Sequence, residues 1–306
     1  MIKNLTFEGA LARSITRAAS QQAYYTIYLL VDRERIADAY RAYAYFRWVD
    51  DIVDAGSGSS SERSAFLERQ KSLLEKCYQG ESLQIPTAEE KMLIQLIQHD
   101  HEQNSGLQLY LRNVMKVMEF DAERRGRLIS GALLDEYTRC LALAVTEAMH
   151  YFIGHGRYSP QTESRYLAVS GAHIVHMLRD AYEDLQAGYY NVPREVLEAA
   201  HIQPYDIQNR GYRAWVQSRV QLAHQYFNAG KAYIAQVEDK RCRLAGFAYL
   251  SRFEWLLNTF EREKYVLRPE YSERKSLGTR FRIGLLTLSS IMHSRSKHSI
   301  QQPAIT

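Results

Sequence analysis

The chain has 306 residues, with 39 Lys and Arg against 35 Asp and Glu, which gives a net charge of +4 with histidine neutral. Hydrophobic residues make up 46% and charged residues 24%, enough apolar surface to offset the ordering of the backbone and to exclude a disordered chain. A charge this mild lacks the concentrated basic face that a phosphate backbone demands, so nucleic acid is excluded as the expected partner.

Apolar residues recur at helical spacing along nearly the whole sequence. Two helices are predicted over 13–30 and 33–53, broken near Val31 and Asp32. The run AGSGSSSE at 55–62 reads as a loop, and Ser61 with Glu62 and Ser64 offers a cap to a helix over 65–78. Further helices are predicted over 88–102, 107–119, 133–154, 163–186, 212–237 and 245–265. Gly188 and Pro193 end the helix over 163–186 and start a turn. The first twenty residues contain no apolar run of secretory type. Ile283 to Met292 is the longest apolar candidate and falls far short of the roughly 18 residues that span a bilayer. It follows Arg274, Lys275, Arg280 and Arg282. An amphipathic terminal helix packed on the body is the plainer reading there, and peripheral contact with an anionic membrane surface is the other. Cys77, Cys140 and Cys242 lie far apart with no CxxC pair, as expected of incidental thiols in a cytoplasmic protein. With six prolines and no internal repeat, the expected architecture is all-α: one helical-bundle domain over 1–293 and a flexible tail over 294–306.

Two segments carry chemistry. YFRWVDDIVD at 45–54 and HMLRDAYED at 176–184 each hold two carboxylates four residues apart, Asp50 with Asp54 and Asp180 with Asp184. That spacing puts both members of a pair on one helical face, where like charges repel. Apolar neighbours, among them Trp48, Val49, Met177 and Leu178, would draw these pairs inward. Buried paired carboxylates need a cation or a proton, and a hard divalent ion such as Mg²⁺ takes oxygen ligands while leaving positions for phosphate. Either segment alone could equally be a solvated face, with Arg47 paired to Asp51 and Arg179 to Glu183. Two such segments on separate helices favour a pair of carboxylate clusters that hold a metal and a diphosphate.

Both segments resemble the two aspartate-rich motifs of the squalene/phytoene synthase family. AYRAYAYFRWVDDIVD at 39–54 is similar to the first motif, and LRDAYEDLQAGYYNVPREVL at 178–197 to the second. MEFDAERRGRLISGALLDEYTRCLALAV at 118–145 is similar to the family's central helix, and AGFAYLSRFEWLL at 245–257 to its late helix. The resemblance covers about residues 14 to 268. It implies an isoprenoid synthase fold, Mg²⁺ (or Mn²⁺) as cofactor, and prenyl diphosphate substrates. It also implies head-to-head (1′-1) condensation of two C15 or C20 units to a squalene- or phytoene-type product with release of diphosphate.

The resemblance assigns metal binding to Asp50, Asp54, Asp180 and Asp184. Arg47 and Arg179 would contact diphosphate or lock the carboxylates, Tyr43 and Tyr137 would line the cavity, and Tyr249 would lie near the diphosphate, with Arg268 a looser match. Departures accompany the match. Of a Ser-rich segment before the first motif only Ser20 remains. His176 stands where the family has Asn, still in line with Asp180 and Asp184 and able to ligate a metal, whereas His173 reads as structural. Tyr189, Tyr190 and Asn191 replace an Arg-x-Tyr, and Leu143 and Thr146 replace small glycines, reshaping the chain-binding tunnel. These departures keep two alternatives in view: a terpene cyclase or a prenyltransferase to a non-prenyl acceptor, and a non-catalytic assembly protein. No GxGxxG is present, and NADPH-using members lack it too, so use of NADPH stays open, as does the oligomeric state.

Overall fold

The computed structural model describes residues 7–54, 60–81 and 86–271. Within them it contains twelve α-helices and no strand, so the all-α expectation holds. The helices are α1 Phe7–Ala19, α2 Gln21–Leu30, α3 Ile36–Asp54, α4 Ser60–Tyr78, α5 Ala88–Gln98, α6 Gly106–Arg124, α7 Gly131–Phe152, α8 Ser164–Arg179, α9 Ala181–Ala187, α10 Arg194–Ala200, α11 Arg210–Gln236 and α12 Lys240–Arg262. The basic segment before Ile283, the apolar run to Met292 and the tail over 294–306 lie outside the described residues.

The chain falls into two compact units. The first comprises Met1–Glu123 and Leu143–Gly156, the second Arg124–Ala142 and Arg157–Thr306. In the first unit α3 packs on α1 and α5. Ala44, Tyr45 and Val49 of α3 are fully buried together with Met92, Leu93 and Leu96 of α5. The break predicted near Val31 and Asp32 is present and has a physical anchor. Asp32 is buried; its backbone N–H donates to Phe152 O (2.9 Å), while its carboxylate accepts from Gly154 N (3.2 Å) and His155 N (2.9 Å). A single helix over 13–30 is not what forms. Ser20 adopts an extended backbone and its side chain accepts from Ala23 N, so it caps α2 and ends α1.

In the second unit α8 packs most extensively on α11, with α12 against both. Their approach is close enough to exclude side chains: a Cβ on Gly230 would lie 2.7 Å from Ala168 Cβ and 2.8 Å from its backbone N. The helix predicted over 163–186 is divided. Asp180, with φ −94° and ψ 8°, separates α8 from α9. The four-residue hydrogen bonds Asp180 N to His176 O (3.0 Å) and Asp184 N to Asp180 O (2.8 Å) survive the division, so the spacing of the motif is kept although the helix is not straight. Gly188, at φ +87°, ends α9 in the left-handed conformation, and Tyr189 N reaches back to Asp184 O at 2.7 Å. The short helix α10 follows Pro193 and was not legible as a separate element.

Candidate active site

The first carboxylate pair lies on the last turns of α3. Asp50 is partly exposed, and Arg47 Nη1 sits 3.3 Å from its Oδ2. The same guanidinium makes a tight hydrogen bond to Asp51, so the pairing expected of a solvated face is present. Arg47 does not neutralise the cluster. Burial first, and then the charge of Asp54, push the Asp50 carboxyl up to about 6, with Asp51 and Asp121 adding to the effect against the opposing pull of Arg47. Asp121, on α6, is an acid that sequence spacing did not single out, although it lies in the quoted MEFDAERR segment. Tyr43 is half-buried about two turns before Asp50 on α3.

The second pair belongs to the other unit. Both Asp180 oxygens are taken by Arg179 in a forked ion pair, with Nε to Oδ1 at 2.5 Å. The expected Arg179 to Glu183 pairing is thus replaced. The helix break at Asp180 turns this carboxylate onto the guanidinium of its own neighbour. Asp184 is held differently: Asn191 Nδ2 donates to its Oδ2 at 2.6 Å. His176 is exposed and packs its ring edge-on against Phe253 at 5.4 Å. Phe253 in turn meets Tyr249 at 5.0 Å, so an imidazole and two aromatic rings form a row along α8 and α12. Burial pushes the Tyr249 phenol up to about 12, and it stays protonated.

His173 takes the structural role expected of it. It is buried, its Nδ1 lies 3.0 Å from Thr138 Oγ1, and burial followed by the charges of His176, Arg124 and Arg219 brings its pKa down to about 3. Tyr137 packs on that ring at 5.0 Å. Arg268 is engaged by an ion pair to Glu263 (2.9 Å) and lies over the Tyr271 ring at 4.6 Å. The three cysteines stand as thiols, Cys140 and Cys242 buried and Cys77 half-buried.

Among the described residues no group of three or more His, Cys, Asp and Glu gathers tightly enough to enclose a metal ion by itself. The donors nonetheless fit a divalent ion shared with a ligand. Asp50 and Asp54 are all-oxygen donors whose mutual repulsion Arg47 offsets only in part, and such a pair is relieved by a hard cation. Among the described residues no helix is long and apolar enough to cross a membrane.

Comparison with known proteins bears on the family and the fold. The squalene/phytoene synthase family profile matches residues 16–280. The presqualene diphosphate synthase of Zymomonas mobilis is 29% identical over 198 residues, 64% of this chain and 63% of that protein, so the match spans less than two thirds of the curated relative. In structure, squalene synthase HpnC from Alicyclobacillus acidocaldarius is similar with a TM-score of 0.69 at 20% identity, covering 85% of this chain and 95% of that one. A dehydrosqualene synthase in complex with a ligand is similar with a TM-score of 0.67 at 16% identity, covering 94% and 97%. Carboxylate pairs in both motifs, an all-α fold and a profile match over most of its length establish that the chain belongs to the squalene/phytoene synthase family, whose members are prenyl transferases.

Proposed function

We propose that the protein joins two C15 prenyl diphosphates head to head (1′-1), forming a C30 cyclopropylcarbinyl diphosphate and releasing one diphosphate and one proton. Its similarity to a presqualene diphosphate synthase supports this choice of product. A C20 substrate would undergo the same bond formation. The observation that carries the reading is the Asp50 and Asp54 pair, with Asp50 pushed up to about 6 by burial and by its neighbour's charge. A site built only to be solvated would spread such charges apart.

In the first unit Asp50 and Asp54, and in the second Asp184, with Asp180 joining when it leaves its fork with Arg179, would each hold Mg²⁺, or Mn²⁺ in its place. The bound ion would neutralise charge on the departing diphosphate and so promote ionisation. Arg47 and Arg179 hold their neighbouring carboxylates in place and offer guanidinium N–H groups to phosphate oxygens. Tyr43 in the first unit, and Tyr137 and Tyr249 in the second, would offer aromatic rings to an allylic cation, each worth roughly 0.5–2 kcal/mol. Tyr249, being protonated, acts through its ring and not as a base. His176, fixed against Phe253, can donate to or accept from the diphosphate end of the substrate.

The variants Asp50→Ala and Asp184→Ala test this reading. Each should lower turnover of C15 diphosphate by about 100-fold or more, with the melting temperature essentially kept. Full turnover in both would remove the metal and diphosphate scheme.

A further inference from the structure

Arg124 belongs to neither aspartate motif. It is the last residue of α6 and the first of the second unit. Its Nη1 donates to Asn191 Oδ1 at 2.9 Å, and Asn191 Nδ2 donates to Asp184 Oδ2 at 2.6 Å. The two ends of the amide are thereby fixed: a guanidinium can only donate and a carboxylate can only accept, so the amide oxygen must face Arg124 and its nitrogen Asp184. Asn191 is 6% exposed, which leaves little room for another arrangement.

The same guanidinium lies over two rings, 4.8 Å from the centroid of Tyr189 and 5.3 Å from that of Tyr137. The following residues are tied to the turn that ends α9: Gly126 N donates to Gly188 O (2.8 Å) and Arg125 Nε to Ala187 O (3.1 Å). Position 189, where the family resemblance expects an arginine, carries the tyrosine on which Arg124 stacks.

We propose that Arg124 is a positioning residue for the second motif. Through Asn191 it sets the orientation of the Asp184 carboxylate toward its cation, and by stacking it fixes Tyr189 and Tyr137. The proposal rests on the reading of Asp184 as a metal-binding carboxylate. Arginine is required because only a planar fork can stack on two rings while donating in a set direction. Outer partners of this kind, though they touch no metal, typically change metal affinity by about 10–100-fold.

The test uses the full chain and Mn²⁺ as probe, with free Mn²⁺ read by electron paramagnetic resonance in the presence of inorganic pyrophosphate, and thermal melting alongside. Arg124→Gln and Asn191→Ala should each weaken Mn²⁺ binding by about tenfold or more. The double variant should be no weaker than either single one, because both break the same chain of hydrogen bonds. Arg124→Lys should not restore binding. Unchanged Mn²⁺ affinity in Arg124→Gln with a lowered melting temperature would reduce Arg124 to a structural residue and overturn the proposal. Fully additive losses, or wild-type binding by Arg124→Lys, would overturn it too. Asp184→Asn separates the two levels: if it leaves Mn²⁺ binding intact, the metal reading itself fails, whereas if it abolishes binding that Arg124→Gln and Asn191→Ala leave untouched, only this proposal fails.

Discussion

At the scale of single residues, the acidic side chains of this protein sort by whether a partner neutralises them. Glu90 is one extreme. Its carboxylate, 2% exposed, accepts from Arg69 Nε (2.8 Å), Gln70 Nε2 (3.0 Å) and Thr87 N (3.0 Å), and these bonds, that of Arg69 foremost, bring it down to about 2. Asp50 is the opposite case and is pushed up to about 6. The contrast separates a carboxylate that completes the fold from one that burial and a neighbouring charge hold at a disadvantage. The linkage at Glu90 has a definite sign. A depressed folded-state pKa stabilises above the unfolded value of 4.5 and is lost as pH falls toward about 2. Glu90→Gln should therefore lower stability by about 3 kcal/mol at pH 7, and the gap to wild type should close as pH falls below about 4.5, measured by urea denaturation at stepped pH.

The aspartates and arginines of the motifs were legible in sequence because four-residue spacing among apolar neighbours is itself a signal. Arg124 and Asn191 were not. Arg124 stands 67 positions from its amide partner, and no periodicity connects a helix terminus to a turn that distant. The chain's 22 tyrosines are partly accounted for in the same way. Tyr24 stacks with Tyr25 and Tyr40 and accepts from Arg13, in the region where the Ser-rich segment is missing.

At the scale of elements, helix existence followed from periodicity, and helix breaks followed from local capping that periodicity does not see. Ser20 and Asp180 each end a helix that its apolar stripe would continue. The pairing of α8 with α11 depends on two glycines. A Cβ on Gly230 meets the Ala168 backbone, whereas one on Gly171 meets the Phe227 ring at 2.7 Å, and a ring can shift. Overpacking of about 1–3 kcal/mol exceeds the gain of about 1 kcal/mol from replacing a helical glycine. Gly230→Ala should thus lower stability by about 2 kcal/mol and Gly171→Ala by less, as read from denaturant midpoints. Because α8 carries His176 and leads into Asp180, Gly230→Ala should also reduce turnover more than its stability loss explains. At the start of α12, Asp239 accepts from Arg241 N (2.8 Å) and Cys242 N (2.9 Å). Asp239→Ala should cost about 1 kcal/mol of stability with turnover unchanged at temperatures below the transition.

At the scale of the whole molecule, family membership follows from motifs whose leading aspartates, Asp50 and Asp180, lie 130 residues apart in no simple repeat, yet match one profile over residues 16–280. The family was legible because two carboxylate pairs at four-residue spacing among apolar neighbours make a rare pattern. The product was less legible, since chain length and acceptor depend on which side chains shape the binding cavity, and Leu143, Thr146 and the tyrosines at 189 and 190 occupy positions where the resemblance expects other residues. Chelation by EDTA should abolish turnover, and Mg²⁺ or Mn²⁺ should restore it. The most direct measurement is mass spectrometry of the products formed from C15 prenyl diphosphate and Mg²⁺ by the wild-type chain and by Asp50→Ala. The account predicts a C30 diphosphate with one equivalent of released diphosphate from the wild type, and none from the variant. Only C15 alcohols or cyclised C15 hydrocarbons, or a C30 product undiminished in Asp50→Ala, would contradict it.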